Sequence, residues 1–61
     1  MTITKADYQK SLKDASALID LAEQLKADLE KNDRYVLSIA ALKKTEEIEK
    51  LAKKIRTRLH H

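Results

Sequence analysis

Six pairs of residues in this chain have numbers that sum to 70, and each sets a large side chain against a smaller one: Leu29 with Ala41, Leu25 with Thr45, Ala22 with Ile48, Leu18 with Ala52, Ala15 with Ile55 and Ser11 with Leu59. A constant sum is what two helices folding back on each other about residue 35 produce, and large-against-small layers let such a seam interdigitate. The pattern predicts an all-α fold, an antiparallel two-helix hairpin, with residues 1–61 as a single domain.

The local signals agree with that layout. Glycine and proline are both absent, so nothing interrupts a long helix from within. Thr4 can cap helix 1, with Asp7 three residues further on beside the orphan amide donors. The helix is expected over about 5–31, a rod of roughly 40 Å at ~1.5 Å per residue. The loop is expected over about 32–38: Asn32 and Asp33 tolerate a left-handed exit, and Ser38 is the best N-cap of the second half. Leu37 and Leu42 form a candidate hydrophobic staple at that start. Helix 2 is expected over about 39–59. Its acids Glu46, Glu47 and Glu49 precede Lys53, Lys54, Arg56 and Arg58, the order that suits the helix dipole.

In heptad lettering, helix 1 places Tyr8, Ala15, Ala22 and Leu29 at a, with Ser11, Leu18 and Leu25 at d. Helix 2 places Thr45, Ala52 and Leu59 at a, with Ala41, Ile48 and Ile55 at d. The g flank pairs at a constant sum of 72: Asp14 with Arg58, Leu21 with Leu51 and Asp28 with Lys44. Both polar couples are opposite in charge, so this flank is satisfied inside the hairpin. The e flank is not, because Leu12 meets Arg56, Ile19 meets Glu49 and Leu42 meets Lys26. Tyr8, Leu12, Ile19 and Leu42, joined by Val36 and Leu37, are left as an apolar face, and each buried Leu or Ile is worth roughly 1.5 to 3 kcal/mol. A second copy packed on this face would close a four-helix bundle, so a homodimer is expected.

Size and charge point the same way. Sixty-one residues lie near the limit at which one core offsets chain entropy, and without cysteine no disulfide or thiolate site can help. Residues 1–33 carry five lysines against seven acids, whereas residues 34–61 carry eight Lys or Arg against three acids. Halves of opposite net charge favour antiparallel pairing.

The chain offers little to catalysis. His60 and His61 are adjacent and diverge on a helix, without the i, i+4 spacing of a shared metal site; they suit a purification tail as well as a native pair. No Glu-x-x-His follows the glutamates, no phosphate loop exists without glycine, and the layers hold Ala and Leu where a buried acid or base would be needed. The expectation is no enzyme, no cofactor, no metal and no small-molecule substrate. No stretch approaches the ~18 apolar residues of a membrane span, and the first residues lack the apolar run of a signal peptide, so a soluble chain is expected.

The runner-up function is a basic hairpin dimer that binds nucleic acid or another polyanion through Lys43, Lys44, Lys50, Lys53, Lys54, Arg56 and Arg58. Against it, no aromatic residue is interleaved with these cations and three glutamates interrupt them. Residues 21–55, with Leu37-Ser38 and the run Lys43-Lys44-Thr45-Glu46-Glu47-Ile48-Glu49-Lys50-Leu51-Ala52, resemble short uncharacterised bacterial helical proteins, often exported, that carry an LS…KK-x-EEIEKLA segment. The resemblance implies a natural helical hairpin and brings no function with it. The regular layers and glycine-free chain would also suit a designed or engineered helical scaffold. The leading expectation is a structural or interaction module that self-associates through its apolar helix face.

Overall fold

The computed structural model describes residues 2–31 and 39–60. It contains two helices, α1 (Lys5–Lys31) and α2 (Ile39–Leu59), packed side by side, and no strand among the described residues. Asn32, Asp33, Ser38 and the Leu37–Leu42 staple concern a connection that lies outside the described residues.

The start of α1 follows from Thr4. Its hydroxyl oxygen accepts a hydrogen bond from the Asp7 amide at 3.1 Å, and its carbonyl accepts one from the Tyr8 amide at 2.9 Å. Two groups at the open end of the helix are thereby satisfied. At the other end of the chain, the His60 amide closes onto the Thr57 carbonyl at 3.3 Å, a tightened last turn. Threonine hydroxyls within α2 bond back to their own helix: Thr45 Oγ1 donates to the Leu42 carbonyl at 2.6 Å and Thr57 Oγ1 to the Lys53 carbonyl at 2.9 Å. Thr45 therefore occupies a half-buried seam layer without an orphaned hydroxyl.

Two ion pairs fix the direction and register of the helices. Lys44 Nζ lies 2.5 Å from Asp28 Oδ2, and Arg58 Nη1 lies 2.6 Å from Asp14 Oδ2. Both couples sum to 72, as only an antiparallel pair in one register allows. Between them Leu21 and Leu51, the third couple of this flank, are half-buried.

The molecule is a rod of 46 × 15 × 15 Å. Its radius of gyration is 14.3 Å, against roughly 10.5 Å for a globular chain of this length. Its accessible surface is 5280 Å², whereas a folded monomer of 7.0 kDa is expected to expose roughly 4,000 Å². Only Ala41, at 3% exposure, is buried among the described residues. Two rods touch along a line, so neither can enclose the other's side chains.

Candidate association surface

The burial pattern shows where the two-helix seam runs. On α1 the half-buried residues are Asp7, Ser11, Asp14, Ala15, Leu18, Leu21, Leu25 and Asp28; on α2 Ala41 is buried and Lys44, Thr45, Ile48, Leu51, Ile55 and Arg58 are half-buried. These are the d and g positions with Ala15 and Thr45 from a. Of the twelve residues expected in the seam, Ala22, Leu29, Ala52 and Leu59 stay exposed, and all four are a positions. The physical reason is the asymmetry of the flanks. Two ion pairs and the Leu21–Leu51 couple draw the helices together along g, while the e couples set apolar groups against charges and give no attraction, so each helix is turned toward g.

Turning the helices toward g opens the opposite face. Tyr8, Leu12, Ile19 and Leu42, the residues expected on the association face, are between 48% and 56% exposed. Leu29 and Leu59 join them from the a positions, and Ile39 from the neighbouring b position. Every large apolar side chain that is exposed among the described residues therefore lies on or beside the a/e face. The c and f positions on the far side carry Lys10, Lys13, Asp20, Gln24, Lys31, Lys43, Glu47, Lys50 and Lys54 among smaller residues. Lettering a and d as the seam placed Leu29 and Leu59 inside; the constant sum of 72 with matched charges was the signal that g competes with a.

On α2 this face dips into an open groove lined by Glu49, Ala52, Lys53 and Arg56. Its lining joins the small side chain of Ala52 to one acid and two bases.

The basic residues of α2 divide into two groups. Lys44 and Arg58 are half-buried and engaged with Asp28 and Asp14, Arg58 also donating to the Ser11 hydroxyl at 3.4 Å. Lys43, Lys50, Lys53, Lys54 and Arg56 are exposed, interspersed with the exposed Glu46, Glu47 and Glu49. Two of the seven candidate anion-binding cations are thus already neutralised within the hairpin.

His60 is exposed, and His61 lies outside the described residues. Among the described residues no group of three or more His, Cys, Asp or Glu is placed to hold a metal ion, and no helix is long and apolar enough to cross a membrane. Comparison of the chain with protein-family models, with curated proteins and with solved structures found no match.

Proposed function

We propose that this hairpin is a non-catalytic structural or interaction module whose a/e face packs on a second copy of itself, giving a homodimeric four-helix bundle. The observation that carries the reading is the segregation of the exposed large apolar residues to that one face. Scattered singly, such residues would need no explanation; gathered on one side of a rod they mark an interaction surface. The area agrees. A rod of this shape exposes about 1,200 Å² more per chain than a globular monomer of its mass, against the roughly 800 Å² that each partner buries in a standard interface, so covering one side of it is within reach of a second copy.

The test is Leu12→Lys with Ile19→Lys. Both side chains are exposed in the single hairpin, so the substitutions leave its fold intact, whereas in the dimer they bury charge against an apolar surface. Light scattering is expected to fall from two hairpins toward one. An unchanged assembly would contradict the proposal.

A further inference from the structure

Resting on the self-association reading, we infer how the second copy docks: α1 lies antiparallel on α1 and α2 on α2, about a two-fold axis perpendicular to the helices that passes between Ala15 and Ser16 on one side and between Ala52 and Lys53 on the other. The argument starts from a square of four exposed residues. The register fixed by the two ion pairs sets Leu12 level with Arg56 and Ile19 level with Glu49 on the open face. Within one chain, each row of this square joins an apolar group to a charge.

A two-fold axis through the centre of the square exchanges the rows. Leu12 then meets Ile19 of the second copy, and Glu49 meets Arg56 of the second copy. Two-fold symmetry makes each contact twice, as an isologous interface requires. Within the square, apolar groups cover apolar groups and opposite charges face each other, which neither an axis parallel to the helices nor a shift of half a heptad achieves; Ile39 and Leu42 lie beyond the end of the second copy's α2. An axis parallel to the helices sets Leu12 on Arg56 and Ile19 on Glu49 again, this time between copies. A perpendicular axis one half-heptad lower sets Leu12 on Leu12 but also Arg56 on Arg56; one half-heptad higher, it sets Ile19 on Ile19 but Glu49 on Glu49. Like charges facing each other across an interface cost several kcal/mol.

Two further observations fall on the same axis. The groove of α2 is lined by Glu49, Ala52, Lys53 and Arg56, so its centre is the point where the axis crosses that helix. On α1 the axis crosses at Ala15 and Ser16, where small side chains let two helices approach closely. The register also sets Lys5 level with Lys26 of the second copy; both are exposed and sit at the ends of the overlap, where ammonium groups reach water. The C-terminal ends of the two α1 helices lie at opposite ends of the bundle.

A charge exchange together with a cysteine pair tests this geometry. Glu49→Arg and Arg56→Glu are each expected to weaken the dimer on the order of tenfold or more, because each creates two like-charge contacts, and the double exchange is expected to restore it. The chain has no cysteine of its own, so Ala52→Cys can be read directly. Beside the axis it is expected to form a disulfide-linked dimer under mild oxidation, while Lys50→Cys, on the outer face, does not. If the mass remains that of two hairpins but the double exchange fails to rescue and Ala52→Cys stays unlinked, the docking geometry is overturned and self-association stands. If the unmodified chain has the mass of one hairpin, both fall.

Discussion

Arg58 Nη1 lies 2.6 Å from the carboxylate of Asp14, forty-four positions away along the chain, with both side chains about one-fifth exposed. The same guanidinium donates to the Ser11 hydroxyl, so one side chain ties the end of α2 to the first turns of α1. With Lys44 and Asp28 near the other end, the hairpin is pinned at two points on the same flank. That flank decides which face remains open.

Arg58→Ala is therefore expected to cost about 1 to 2 kcal/mol, above the ~0.2 to 1 kcal/mol of fully exposed pairs, because the geometry is good and the partners are partly shielded. Lys50→Ala, on the outer face, should stay within about 0.5 kcal/mol. Chemical denaturation of Arg58→Ala, Asp14→Ala and the variant carrying both, combined in a double-mutant cycle, measures the coupling; a zero coupling would mean that the pair does not set the register.

Leu18→Ala or Ile48→Ala should cost roughly 2 to 5 kcal/mol, the range for side chains in a closed core. Both are still partly exposed in the single hairpin, so it alone supplies less than a fully buried side chain's ~1.5 to 3 kcal/mol. The size of the loss in equilibrium unfolding therefore reports whether a second hairpin completes the core. A loss under about 1 kcal/mol would show that it does not.

Thr4→Ala removes the acceptor that holds the Asp7 amide and should destabilise the protein by about 1 kcal/mol. Amide hydrogen exchange is expected to accelerate at Asp7 while the middle of α1 keeps its protection. Equal acceleration along the whole helix would show instead that the cap controls global stability.

How much of this was legible follows from the chemistry of each flank. The two helices and their antiparallel register stand in the sequence because a glycine-free chain with paired layers offers few alternatives, and because Asp14, Asp28, Lys44 and Arg58 carry their pairing in their numbers. The rotation of the helices was not legible from apolar lettering alone. An Ala at a, such as Ala22 or Ala52, gains little from burial, and so Leu29 and Leu59 were left outside when the charged couples along g took the seam. The apolar e positions could be read because each stood opposite a charge.

The polyanion reading has its own measurement. With Lys44 and Arg58 occupied by Asp28 and Asp14, and glutamates among the remaining cations, a labelled RNA duplex is expected to show weak binding at low salt that disappears by about 150 mM. Saturable binding that persists at that ionic strength would restore nucleic acid as the partner.

The account rests most directly on the mass of the unmodified chain in solution. Size-exclusion chromatography with light scattering, run over a range of protein concentrations, should give twice the 7.0 kDa of one chain at high concentration, with thermal stability rising alongside the dimer fraction. A mass of 7.0 kDa throughout, with a concentration-independent unfolding midpoint, would contradict it.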